Sequence, residues 1–217
     1  MLRITFEIKS PLMIDHNGLM LDGLLAWSYF RGMGIYENTL HIKDILQAEI
    51  PIKKHTDGYY LCSRLLWDES ANDVVVLKKK FREKYVEYAN LPNKVLINKG
   101  EFKSYQIPFQ VVCTNEAYFI FDSDNIKLFE ELFKRVHFLG KKGHLGFGRF
   151  NKYRIEKDDS GLWENEILRP IPEQFINPNK YEVLVKKFCS WHYPYWDIHY
   201  RQNCVVGGKR KSIVTNP

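Results

Sequence analysis

The sequence predicts an α+β fold: a ferredoxin-like (RRM-like) βαββαβ core with a glycine-rich loop, a helical insertion and an extended aromatic C-terminal segment. Three observations carry that expectation. A strand with one buried face opens the chain. Hairpin signals and two helical stretches then follow in the order strand, helix, hairpin, hairpin, helix. Finally, residues 140–150 link the second helix to a closing strand. The core is expected over 1–158, with the basic helical insertion at about 72–100. Residues 159–217 are expected as an extended segment packed on the same domain.

Leu2, Ile4, Phe6 and Ile8 alternate with Arg3, Thr5, Glu7 and Lys9, the period-two pattern of a half-buried strand that Ser10-Pro11 ends. Asp22 is placed to cap a helix through Trp27 to about Gly32, with Trp27 most simply a core anchor. Short apolar runs from Ala48 to Leu66 surround His55-Thr56-Asp57-Gly58, a hairpin signal. Between Asp73 and Asn90, Val74, Leu77, Phe81, Tyr85 and Tyr88 recur at helical spacing among lysines and arginines, which predicts a basic amphipathic helix. That helix suits either a solvated face or a nucleic-acid contact.

Residues 105–113 and 117–121 predict a second hairpin about Thr114-Asn115-Glu116. Asp122 or Asp124 then caps a helix whose apolar stripe is Ile126, Phe129, Leu132, Phe133 and Val136. Lys134, Arg135 and His137 fall in its last turns, and Gly140 stops it. A strand from Arg149 to about Glu156 follows. Beyond Asp158 the prolines Pro170, Pro172, Pro178 and Pro194 and a set of aromatics predict a wrapping segment, with Gly207-Gly208-Lys209-Arg210-Lys211 as a mobile basic tail.

The 217 residues, 45% hydrophobic and 27% charged, suffice for one substantial core and argue against wholesale disorder. A net charge of +6 favours a polyanionic partner. No stretch approaches the roughly 20 apolar residues that span a bilayer, and Met1 to Thr5 lacks signal-peptide organisation, so a cytoplasmic protein without membrane contact is expected. The scattered Cys62, Cys113, Cys189 and Cys204 read as reduced thiols there. No cofactor is implied.

Four glycines, three fixed cations, a histidine and two aromatics crowd into Gly140 to Phe150. Glycine lets other groups approach the backbone, and cations beside exposed N–H groups suit an extended anion. The same density also suits a flexible basic hairpin. A nucleotide P-loop is excluded, because Lys142 precedes Gly143 where Ser or Thr is needed, and because the order is helix then strand. The dinucleotide fingerprint fails on the same order. Cys189, His192, His199 and Cys204 supply four ligands of types suited to tetrahedral zinc, at a spacing that is no standard finger; buried thiols and interfacial histidines are the simpler account.

Three stretches carry a resemblance: Leu2 to Ser10 with Leu21-Asp22-Gly23-Leu24-Leu25-Ala26-Trp27, the loop Gly140 to Phe150, and Tyr193-Pro194-Tyr195-Trp196. Together they resemble the RAMP superfamily of CRISPR RNA-binding proteins, and most of all the Cas-five-class subunit of type IV effector complexes. The resemblance implies capping of the 5′ handle of a CRISPR RNA (crRNA), beside a Cas-seven-class backbone subunit and a large, Cas-eight-like subunit, with target DNA within reach of the complex. It also implies roles in the loop. Gly143, Gly146 and Gly148 would admit RNA to the backbone, Lys141, Lys142 and Arg149 would neutralise phosphates, and His144 or Phe147 would stack on a base. Trp27 and Arg31 are further candidates on the first helix.

Binding without catalysis is expected. Two alternatives stand beside it: metal-independent RNA cleavage with His16 or His144 as general acid or base, and a non-catalytic protein-interaction subunit.

Overall fold

Strand β1 (Leu2–Ile8) occupies its expected residues and sits at the centre of an antiparallel sheet, flanked by β4 (Glu116–Phe121) and β5 (Phe150–Lys157). Ile4 stands opposite Phe119 on one side and Ile155 on the other. The computed structural model describes residues 1–14, 18–34, 49–79, 104–193, 195 and 198–211. Among them no helix is long and apolar enough to cross a membrane.

Helices α1 (Leu21–Gly32) and α2 (Ile126–Phe133) join the same core cluster as the sheet. Phe6, Phe119 and Phe121 meet Phe129 and Phe133, with Phe121 and Phe129 stacked at 4.4 Å between ring centroids. The Ser28 hydroxyl donates to the Leu132 carbonyl and fixes one helix on the other. Strand alternation sends Tyr118 and Ile120 to the opposite face, where they pack with Leu168 and the short helix α3 (Leu162–Asn165). Both faces of β4 are therefore covered.

The outer edge of β4 is covered too. Residues 61–66 run beside it: Ser63 N–H donates to the Ile120 carbonyl at 2.8 Å, and Leu66 and Tyr118 exchange both backbone bonds at 2.9 and 2.8 Å. This segment leaves the predicted turn at His55–Gly58, where Gly58 N–H donates to the His55 carbonyl at 2.9 Å and Lys54 bridges to Tyr60.

Several expectations are corrected. Residues 73–79, assigned to the start of a basic helix, lie in β2 (Ala71–Lys79), paired along its length with β3 (Tyr105–Cys113). Four consecutive apolar residues, Val74 to Leu77, three of them β-branched, favour extended backbone over a helix. The remainder of that predicted insertion, from residue 80, lies outside the described residues. The predicted hairpin of 105–113 with 117–121 does not form. Its two strands exist but enter different sheets, because β4 buries five of its six residues against β1 while the end of β3 is tied to Leu12.

Helix α2 is capped by Asn125, whose side chain accepts from Leu128 N–H at 3.0 Å, and it ends at Phe133, well before Gly140. Asp22 is no cap, since it lies inside α1. The C-terminal stretch is no mere wrapping either. It forms a sheet of β6 (Ile171–Pro172), β8 (Arg201–Arg210) and β7 (Tyr181–Ser190), in that order, over its own apolar cluster of Tyr59, Ile167, Ile171 and Val205. Gly207 to Arg210, predicted as a tail, are paired within β8.

Candidate nucleic-acid interface

The glycine-rich loop is fastened at its base and open at its tip. Phe138 bridges to Arg149, and Leu139 N–H donates to the Gly148 carbonyl at 2.9 Å. The residues after β1 hold it from beneath: Gly148 N–H donates to the Pro11 carbonyl at 2.9 Å, Lys141 N–H to the Met13 carbonyl at 2.7 Å, and Arg149 N–H to the Ser10 hydroxyl at 2.8 Å. Between these anchors the chain turns through one 3₁₀ element, Gly143–Leu145. Lys142 enters it in the left-handed region, at φ 60°.

The predicted glycines divide by what a Cβ would meet. At Gly148 (φ 68°) it would lie 1.9 Å from the Leu139 carbonyl oxygen, and at Gly143 it would strike the Phe138 ring at 2.6 Å. Those two glycines serve the protein's own packing. Gly146 also has positive φ (94°), yet a Cβ there meets nothing within 4 Å. Of the three, Gly146 keeps its face open to a ligand.

Lys141, Lys142, His144 and Arg149 are exposed on this frame and Phe147 is half-buried. The Arg149 guanidinium lies 5.9 Å from the Phe138 ring centroid. Trp27 is half-buried on α1, not a core anchor, and the Arg31 guanidinium lies 4.9 Å over its ring, so these two candidates form a pair of their own. His16 lies outside the described residues. What the loop can do chemically is present cations and one unobstructed stretch of backbone to an extended anion.

Residues 53–206 match the family described as CRISPR type IV associated protein Csf3. The chain belongs to that family. Csf3 is the Cas-five-class RAMP subunit of type IV systems, which is the resemblance read from the sequence. The match contains the loop and Tyr193 to Trp196, while residues 2–27 precede it. No curated protein matches the chain.

In this Csf3-family chain, two of the stretches that carried the resemblance meet in space. The Tyr195 hydroxyl lies 2.8 Å from both carboxylate oxygens of Asp22, and the Tyr195 ring sits where a Cβ on Gly23 would be, 3.1 Å away. Arg169, which the sequence reading passed over, joins them. Its Nη2 donates to Asp22 Oδ2 at 3.3 Å, to the Tyr195 hydroxyl at 3.0 Å and to the Trp191 carbonyl at 3.1 Å, while Nη1 donates to the Tyr60 carbonyl and the Cys62 sulfur. Both charged side chains are completely buried.

Burial, reinforced by Asp22, pushes the Tyr195 hydroxyl and the Cys62 thiol far above their usual range. Burial alone would lower Arg169, but Tyr195 and Asp22 outweigh it and hold the guanidinium charged. Arg169 is flanked in sequence by Leu168 and Pro170, and no local signal marks its partner 147 residues away.

The zinc quartet does not assemble. Cys189 and Cys204 are buried on neighbouring strands, the Cys204 thiol donating to the Cys189 carbonyl at 3.5 Å. His192 instead lies against the rings of Tyr200 (4.9 Å) and Tyr60 (5.8 Å) and donates from Nδ1 to the Tyr193 carbonyl, while His199 is exposed in the 3₁₀ turn Ile198–Tyr200. Among the described residues no three Cys, His, Asp or Glu side chains gather where they could hold a metal ion.

Proposed function

We propose that the chain caps the 5′ handle of a crRNA within a type IV effector ribonucleoprotein, laying the handle across the loop 140–150. The carrying observation is the division of labour in that loop. Its base is bonded to residues 10–13, its crowded glycines serve the fold, and its cations are exposed in the same short loop as the open Gly146. A phosphate chain needs that arrangement, rigid underneath and unobstructed above.

The core beneath is read as ferredoxin-like. Strand order β4-β1-β5, with residues 61–66 outside β4, follows the βαββαβ arrangement if that segment takes the second-strand position. Cas-seven-class and large subunits would grip the chain on either side of the handle, near target DNA. The role is binding without cleavage.

Salt titration of RNA affinity tests the reading. For the Lys141→Ala/Lys142→Ala/Arg149→Ala protein, the slope of log affinity against log salt is expected to shrink by about 0.7 for each single-strand phosphate no longer neutralised. An unchanged affinity and slope would remove the loop from RNA binding. Cleavage of repeat RNA abolished by His144→Ala would put the endoribonuclease alternative in its place.

A further inference from the structure

We propose that the chain also reads one unstacked nucleobase in a cavity at the foot of the β2–β3 ribbon, a step that rests on the RNA-binding reading above. The cavity holds about 400 Å³, within the range of roughly 300–1,000 Å³ typical of small-ligand sites. That is room for a base and its sugar, not for a duplex. Its lining combines one aromatic ring, Trp67, one cation, Arg64, and two side-chain amides, Asn72 and Gln110, above the buried Val111.

Each group has a use that fits a base. Asn72 pairs with Val112 and Val74 pairs with Gln110, so Asn72 and Gln110 are diagonal neighbours on one face of the ribbon. A side-chain amide presents a donor and an acceptor together, the complement of a base edge. Trp67 is half-buried, which anchors the indole while leaving part of it accessible, and an indole face is a stacking platform for an unstacked base. Arg64 is held by its Nη1 bond to the Val206 carbonyl at 3.1 Å. Its guanidinium carries further donors for a carbonyl or phosphate oxygen.

The position of the cavity ties it to the loop. Ile14 lines the cavity, and its side chain lies 3.5 Å from where a Cβ on Gly140 would stand. The neighbouring Met13 carbonyl accepts the Lys141 N–H that anchors the loop. Cavity and loop therefore meet at Ile14, next in the chain to the residue that anchors the loop. A strand whose phosphates rest on the loop cations has the cavity beside it for a splayed base.

The test uses the full-length chain and short fluorescent uridine tracts in which one nucleotide is A, C, G or U. The parent is expected to favour one of the four by about tenfold. Asn72→Ala/Gln110→Ala, at exposed ribbon positions that do not threaten the fold, should collapse that preference to within about twofold without weakening the least favoured tract. Lys142→Ala/Arg149→Ala should weaken all four alike and keep their ranking. Trp67→Phe should retain affinity and lose the quenching of indole emission that accompanies binding. A parent without base preference, or a preference that survives Asn72→Ala/Gln110→Ala, overturns the cavity. A preference that depends on those amides while Lys142→Ala/Arg149→Ala changes nothing keeps the cavity and removes the loop.

Discussion

The glycine loop and the Asp22–Arg169–Tyr195 cluster both organise charged side chains, by opposite means. In the loop the backbone is bonded and the charges are exposed; in the cluster the charges are bonded to one another and completely buried. Removing a loop cation leaves the frame intact, whereas removing a cluster charge strands its partner in a medium that cannot solvate it. Charge is available for a ligand only in the first arrangement. In the second it is a structural fastening between α1 and the segment before and after β7.

The largest effect should come from breaking the cluster on one side. Asp22→Ala leaves the Arg169 guanidinium buried beside Tyr195 and should cost about 3–5 kcal/mol in urea unfolding, whereas Lys142→Ala in the loop should stay within about 0.5 kcal/mol. An Asp22→Leu/Arg169→Met protein should lose less than either single variant. Equal losses for Asp22→Ala and Lys142→Ala would erase the distinction between the two regions.

The next effect separates the loop's own glycines. Gly148→Ala combines positive φ with the Leu139 carbonyl and should cost about 3 kcal/mol, while Gly146→Ala carries only the conformational term of about 1 kcal/mol. RNA affinity should follow the reverse order once each variant is compared at matched folded fraction, because Gly146 is the open one. Thermal unfolding with an RNA-binding assay checks both.

The smallest effect is a pH dependence beside the cluster. Burial lowers His192 below the ordinary imidazole value of 6.5. The unfolded chain therefore binds the proton first as pH falls, so stability is full above about 6.5 and declines below it, until the folded-state value is passed. Urea midpoints between about pH 8 and pH 5 should show this decline, and His192→Gln should flatten it. A steeper decline in the variant would contradict the buried neutral imidazole.

Local order was legible where a local pattern had a single solution. The alternation of Leu2 to Lys9 located β1 to within a residue at its end, and the helix–glycine–strand order around 140–150 located the loop. Other elements depended on partners far away. Val74, Leu77 and Phe81 satisfy a helical spacing, yet β2 exists because β3 lies alongside it. Thr114-Asn115-Glu116 is a competent turn, but the burial of Phe119 and Phe121 against β1 outweighs a local hairpin. Gly148 and Gly146 look alike in sequence, and only the position of the Leu139 carbonyl tells them apart. Asp22 reads as a cap until Arg169 and Tyr195 arrive from the other end of the chain.

That separation has a consequence for synthesis. The ties to Asp22 span 147 and 173 residues, so α1 leaves the ribosome with an acidic group whose partners have not yet been made. Until Arg169 and then Tyr195 emerge, burying the Asp22 carboxylate would leave it unpaired, which disfavours final docking of that face of α1. A chain truncated before Arg169 is therefore expected to leave that face of α1 undocked, whereas one truncated between Arg169 and Tyr195 keeps the charge partner and loses only the phenol.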